Sequence, residues 1–276
     1  MQISEGLKQA EQQLSNSASA RLDAELLLCS VLECERSKLY AYPELGMLDQ
    51  QITAFNDLLK LRIKGHPIAH LLEKKEFWSL DLQISKDTLI PRPETEHLVE
   101  QALTLIAEDK ACHVLDLGTG SGAIAIAIAS ERPLCKIIAT DKSAAALMIA
   151  QKNAKTHRLE NITFIQADWF EFNNTATFDL IVSNPPYISK DDPHLKQGDV
   201  RYEPQSALVS VIDGLDDIRT IVKNAKLYLN KPGYLILEHG YQQDAEVRQL
   251  FSENGFDAIS TMNDYSGLAR ISMGQY

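Results

Sequence analysis

The sequence predicts a doubly wound α/β fold: a mostly parallel sheet of seven strands, with a small all-helical domain ahead of it and a short β-hairpin linker between them. Three observations lead there. Short apolar runs alternate with helical patterns from Val114 onward. The first run ends in a glycine turn, Gly118-Thr119-Gly120-Ser121-Gly122, that opens an apolar helix. The first 75 or so residues carry helical apolar spacing instead. We therefore expect residues 1–75 to form a helical domain, 76–92 the hairpin and linker, and 93–276 the α/β domain.

In the helical part, Leu22, Leu26, Leu27 and Val31 recur at helical spacing, as do Ile52, Phe55, Leu59 and Ile63. Asp49 reads as the N-cap of the second helix, and Gly65 with Pro67 as its stop. His66 and His70 flank Pro67 without a metal partner and read as structural. A small bundle without a catalytic constellation, joined to a catalytic domain, suits substrate docking, or simply covers an apolar face. From Glu76 the period changes to two, with Phe77, Leu80, Leu82 and Ile84 separated by polar residues. Pro91-Arg92-Pro93-Glu94-Thr95-Glu96 then starts a helix, with Pro93 and the acids suited to a first turn. Arg92 either faces a ligand carboxylate or pairs with a nearby Glu.

The α/β part begins with a buried strand at 114–117, the glycine turn and a helix at 123–129. Glycines there let a ligand lie against the backbone. The absence of a Lys after Gly122 excludes a P-loop, while Ala123 leaves a dinucleotide pattern open. A second strand, 136–140, ends at Asp141, an acceptor for two ribose hydroxyls. A third, 162–165, leads to Asp168-Trp169: Asp168 is an acceptor for an adenine amine, and Trp169 either packs on the purine or fills the core. Strands at 234–238, 256–260 and 269–273 complete the seven.

The fourth strand, Phe178–Ser183, runs into Asn184-Pro185-Pro186-Tyr187. Prolines fix φ and lack an N–H, so this turn offers carbonyl acceptors at a strand end. Asn184 adds a side-chain carbonyl and Tyr187 a flat face. Together they form a socket for a planar group bearing NH₂: two acceptors for its hydrogens and a ring to stack on. Accepting both hydrogens restores density to a delocalised nitrogen and orients it. Hydride transfer has no use for such a socket; methyl transfer does. The order of glycine loop, Asp141, Asp168 and Asn-Pro-Pro-Tyr is that of an S-adenosylmethionine-dependent methyltransferase. The expected step is in-line attack of the nitrogen of an amide or an exocyclic amine on the sulfonium methyl, releasing S-adenosylhomocysteine. No general base is required, and His194, a few residues on, reads either as an exception or as a surface histidine.

Composition sets the context. The 276 residues carry a formal net charge of −11, which argues against a broad grip on nucleic-acid phosphates. Cys29, Cys34, Cys112 and Cys135 show no Cys-x-x-Cys spacing and read as free thiols, with no metal site. No signal peptide or membrane-spanning run is apparent. We expect a cytoplasmic protein with no membrane partner and no stable nucleic-acid binding.

Four motifs make the chain resemble a known family along nearly its whole length. They are Thr88-Leu-Ile-Pro-Arg-Pro-Glu-Thr-Glu96, Leu115-Asp-Leu-Gly-Thr-Gly-Ser-Gly122, Val182-Ser-Asn-Pro-Pro-Tyr-Ile188 and Gln197-Gly-Asp-Val-Arg-Tyr-Glu-Pro204. The chain resembles the glutamine-N(5) methyltransferases that modify peptide chain release factors. The resemblance implies a substrate, the glutamine of a Gly-Gly-Gln loop in bacterial class 1 release factors, and a role in translation termination. It implies S-adenosylmethionine held by Gly118 to Gly122, Asp141 and Asp168-Trp169, with the amide held by Asn184 and Pro185 and stacked on Tyr187. Pro186 joins the substrate socket, and Arg92, Arg201 and Glu203 are assigned to its mouth. The Asp264–Arg270 turn departs from the family where Ala269 replaces a frequent acid. Rival readings are a ribosomal-protein glutamine methyltransferase, a DNA adenine methyltransferase with a similar socket, and a non-catalytic cofactor-binding scaffold.

Overall fold

A computed structural model describes residues 1–173 and 176–276. They form two compact units, Met1–Lys74 with Lys196–Tyr202, and Lys75–Leu195 with Glu203–Tyr276.

The smaller unit is helical: α1 Ile3–Gln13, α2 Ala20–Leu32, α3 Arg36–Ala41, α4 Asp49–Ile63 and α5 Ile68–Leu72. Ile3, Leu7, Leu27, Leu28, Leu39, Phe55 and Leu59 pack its core. Leu22 and Ile63, which share the helical spacing, are exposed instead. Asp49 is the first helical residue of α4 and Leu48 stands at the cap, so the acid meets the positive end of the helix without capping it. Gly65, at φ +95°, turns the chain out of α4, and Pro67 caps α5 as well as stopping α4. The segment 196–202 joins this unit through Lys64, whose carbonyl accepts from Arg201 Nη2 (3.0 Å) and the Tyr202 hydroxyl (2.7 Å). His66 lies against the Tyr202 ring, centroids 4.3 Å apart.

The larger unit opens with a hairpin, β1 Lys74–Phe77 and β2 Leu80–Gln83. Trp78 and Ser79 between them both have positive φ, the geometry of a two-residue turn that matches strand twist. The hairpin is fastened to this unit and is no free linker. The Trp78 amide donates to Glu96 Oε1 (2.8 Å), its indole to Glu131 Oε1 (2.9 Å), and the Asn153 amide bonds both main-chain groups of Gln83.

The sheet follows: α6 Glu96–Leu105, β3 His113–Leu117, α7 Ala123–Glu131, β4 Lys136–Asp141, α8 Ala144–Thr156, β5 Ile162–Gln166 and β6 Phe178–Ser183. After a short ladder of β7 Ile188–Ser189 with β8 Val209–Ser210 come α9 Asp216–Ala225, β9 Leu229–Glu238, α10 Asp244–Glu253, β10 Asp257–Asn263 and β11 Ala269–Gln275. Seven strands pair in the order β10-β11-β9-β6-β3-β4-β5, the pairs of β11 with β10 and β9 antiparallel and the rest parallel. Both faces are covered, so the strands read as nearly continuous apolar runs. Helix α7 is buried from Ala123 to Ala129, which explains its alanine and isoleucine composition. The order reverses between β3 and β6, and ligands bind beyond the strand carboxyl ends at such a switch.

Candidate active site

The switch point opens into a cleft of about 650 Å³, continuous with solvent. Gly118, Gly120, Asp141, Asp168, Trp169, Asn184 and Pro186 line it, each from the carboxyl end of β3, β4, β5 or β6. Seven of the residues assigned from sequence are thereby brought together.

The wall at β3 and β4 is made largely of backbone. Gly118 and Gly120 have φ of +71° and +57°. A Cβ on Gly120 would meet nothing within 4 Å, so it would project into the cleft, whereas one on Gly118 would come within 3.3 Å of the Trp169 ring. Asp141 is partly exposed, and its oxygens accept from Gly120 N (2.9 Å) and Ser143 N (2.8 Å). These bonds aim the carboxylate and leave lone pairs on both oxygens. Asp168 is exposed beside it, and Trp169, at φ +47°, turns its ring toward the glycine loop. Open glycine backbone, an aimed carboxylate and an aromatic wall fit a nucleoside with vicinal hydroxyls.

The other residues of the glycine loop face inward. Thr119 is buried and donates to Asp116 Oδ2 (2.6 Å); Ser121 is buried and its carbonyl accepts from Asn153 (2.9 Å). At Gly122 an added Cβ would lie 3.1 Å from Ala150, so this glycine brings α7 and α8 together. Thr119, Ser121 and Gly122 are buried and shape the loop, while Gly118 and Gly120 line the cleft. Asp116 is fully buried, and burial pushes its carboxyl up to about 7 despite the Thr119 hydroxyl.

Across the cleft, Asn184 Nδ2 donates to Thr95 Oγ1 at 3.1 Å, so its side-chain carbonyl is not the group bound to Thr95. Pro185 is buried and Pro186 reaches the cleft. Tyr187 is largely buried: its hydroxyl donates to Glu238 Oε1 (3.2 Å), and its carbonyl accepts from Gln243 Nε2 (3.1 Å). Burial beside the Glu238 carboxylate raises its phenol well above the usual range. Thr95 and Glu238 escape a reading of the sequence for site residues. The available signal was an acid ending an apolar strand, the same signature that marks Asp141.

Three residues assigned to the substrate mouth have structural partners. The Glu203 side chain is fully buried; it takes the Ile90 amide (2.9 Å) and pairs with Arg92, and so is not free to meet a substrate. Arg92 thus pairs with a Glu, and remains about a third exposed. Arg201 belongs to the helical unit, bound to Lys64 and lying over Tyr202. His194 is exposed and bound to Asp192 (2.7 Å). In the 264–270 turn, Asp264 accepts from the amides of Ser266 and Leu268 and pairs with Arg270, while Tyr265 reaches Glu100 (3.3 Å) and packs against the His97 ring.

A switch-point cleft with this wall, facing an acceptor-bearing Asn-Pro-Pro turn, defines an S-adenosylmethionine-dependent methyltransferase. A family model described as a methyltransferase domain matches residues 108–269, and one described as a PrmC N-terminal domain matches residues 5–72. The release factor glutamine methyltransferase of Escherichia coli K12 is 47% identical over 276 residues, 100% of this chain and 99% of that protein. The one from Aliivibrio fischeri is 46% identical over 264 residues, 95% of this chain and 93% of that one. A crystal structure of a methyltransferase from Pyrococcus furiosus shares the fold, with a TM-score of 0.53 at 18% identity over 71% of this chain and 88% of that one. The chain belongs to the release factor glutamine methyltransferase family.

Proposed function

We propose that this chain transfers a methyl group to the side-chain amide nitrogen of the glutamine in the Gly-Gly-Gln loop of bacterial class 1 release factors, tuning translation termination. The observation that carries this reading is the Asn184 amide, turned by Thr95 at the end of the cleft so that its carbonyl is left for a donor. S-adenosylmethionine, when bound, supplies an electrophilic methyl on a sulfonium.

The protein's part is to bind, orient and stabilise. Gly118 and Gly120 let the cofactor lie on the backbone, Asp141 accepts from ribose hydroxyls, Asp168 accepts from the adenine amine, and Trp169 packs on the purine. Asn184 and Pro185 accept from the two amide hydrogens of the glutamine, beside Pro186, and Tyr187 offers its ring. The Glu238 bond holds that ring still. Orientation of this kind substitutes for translational freedom lost on binding. After methylation the nitrogen is strongly acidic and gives its proton to water or a carbonyl. The Asn184–Tyr187 turn carries no acid or histidine, and His194, tied to Asp192, is not needed as a base.

The helical unit, matched by its own family model, serves to dock the protein substrate. The net charge of −11 disfavours nucleic acid as that substrate. Among the described residues no helix is long and apolar enough to cross a membrane. Release factors are cytoplasmic, and that is where the enzyme would work.

The test is to incubate the protein with S-adenosylmethionine and unmodified release factor and map added methyl by peptide mass spectrometry. A single methyl on the Gly-Gly-Gln glutamine is expected. Methylation of ribosomal protein or DNA instead would overturn the substrate, and cofactor binding without any methylation would favour the scaffold reading.

A further inference from the structure

Behind Asn184 three side chains form one connected line. Asn184 Nδ2 donates to Thr95 Oγ1 (3.1 Å), and Thr95 Oγ1 donates to Glu238 Oε2 (2.7 Å). The other oxygen of Glu238 accepts from the Tyr187 hydroxyl (3.2 Å). Thr95 is 4% and Glu238 1% exposed, and neither lines the cleft. The parallel register of β6 with β9, Ser183 opposite Leu237, brings Glu238 level with Asn184 at the strand ends. Thr95 arrives from the turn that opens α6.

This line has a direction. Both oxygens of Glu238 accept, one from Thr95 and one from Tyr187, so it serves as an ionised acceptor although burial raises its carboxyl above the ordinary range, and the Thr95 proton is committed to it. With its proton spent, the Thr95 oxygen can only accept from Asn184, and Asn184 must therefore present its NH₂ there. An amide has one NH₂ and one carbonyl, so fixing the first fixes the second. We propose that Glu238, acting through Thr95, is the positioning residue that holds the Asn184 carbonyl toward the acceptor nitrogen and makes the socket select an NH₂ group over a carbonyl or carboxylate. This rests on reading the socket as the glutamine site. If the Asn184 amide were reversed, NH₂ would meet NH₂, and the site would favour the side chain of a glutamate over that of a glutamine. The same carboxylate steadies the Tyr187 ring, so one buried acid orders both ends of Asn-Pro-Pro-Tyr.

The test uses the full-length protein. Glu238→Gln keeps the shape, but its NH₂ can donate to Thr95 and reverse the line. Thr95→Val removes the link, and Thr95→Ser keeps the hydroxyl. Glu238→Gln and Thr95→Val should each lower kcat on release factor by about 10- to 100-fold, approaching the loss of one preorganised polar contact. Affinity for S-adenosylmethionine should be unchanged, which a misfolded variant would not preserve, and Thr95→Ser should restore turnover. A second readout needs no substrate: in ¹⁵N spectra the Asn184 NH₂ should be protected from solvent exchange in the wild type and Thr95→Ser, and lose that protection in Thr95→Val. Wild-type kcat in both Glu238→Gln and Thr95→Val, or unchanged protection in Thr95→Val, would overturn the proposal. Failure of the wild type to methylate release factor would instead sink the substrate reading, while the exchange measurement still decides the amide's orientation.

Discussion

The two sides of the cleft are built by different means. The wall at β3 and β4 is more local: glycines in left-handed conformations, and Asp141 held by the amides of Ser143, two residues on, and Gly120, 21 residues back. The socket at β6 is remote. Asn184 owes its orientation to Thr95, 89 residues away, and Thr95 is bound to Glu238, 143 residues from it. A wall assembled from adjacent backbone tolerates change elsewhere in the chain, whereas a socket assembled from distant side chains depends on the whole sheet. Binding and turnover should therefore fail separately.

The sharpest break of the remote architecture is structural. Glu203→Ala leaves Arg92 and the Ile90 amide without their buried partner, and removing one side of a buried pair costs about 3–5 kcal/mol. Thermal or denaturant unfolding should show the loss, while the KM for release factor in the folded fraction stays put. A lowered affinity for release factor without lost stability would return Glu203 to the substrate mouth.

The wall has a weakness of its own beneath it. Asp116 has its carboxyl raised to about 7 by burial, against an ordinary value of 3.8, so the folded state favours the protonated form. That contribution is fully present below about pH 4 and is lost as pH rises through about 7. The difference is on the order of 4 kcal/mol at neutral pH. Asp116→Asn should flatten the decline of stability between pH 4 and 7; a decline unchanged in that variant would assign it to other groups.

Asn184→Ala tests the socket directly. Turnover should fall by about 10²- to 10³-fold, or roughly 2.7–4 kcal/mol, with cofactor affinity unchanged. A loss smaller than tenfold would end the socket model. Asp141→Ala should do the opposite, weakening cofactor binding by about 1.5–3 kcal/mol while kcat at saturating cofactor changes little. Calorimetric titration beside steady-state kinetics separates the two, and a variant that loses both together would show the two sides to be one unit.

The same division explains what the sequence discloses. The central strands are legible because burial on both faces leaves runs such as 114–117 and 178–183 apolar, whereas the edge strands β5 and β10 are only partly buried. The glycine turn is legible because its function depends on adjacent residues. The assignment of Thr119, Ser121 and Gly122 to the cofactor followed the motif as a block; only the three-dimensional loop separates residues that face the cleft from those that face Asp116, Asn153 and Ala150. Glu203 is assigned to the substrate mouth through the family motif it sits in, and its actual partners lie 113 and 111 residues away, beyond the reach of the local sequence. Glu238 is an acid at the tip of an apolar strand, as Asp141 is, and without a glycine loop beside it nothing in the local sequence announced its use.

Tyr187 is followed by a stretch that leaves the α/β unit, joins the helical unit at Lys196–Tyr202 and returns at Glu203. The chain therefore passes between its two units more than once. Cutting at residue 74 would not release a freestanding enzyme. It would take away the Lys64 carbonyl to which Arg201 and Tyr202 are tied, and slacken a loop whose two ends are Tyr187 of the socket and the Glu203 clamp. Neither unit is a single continuous stretch, so no single cut separates the two.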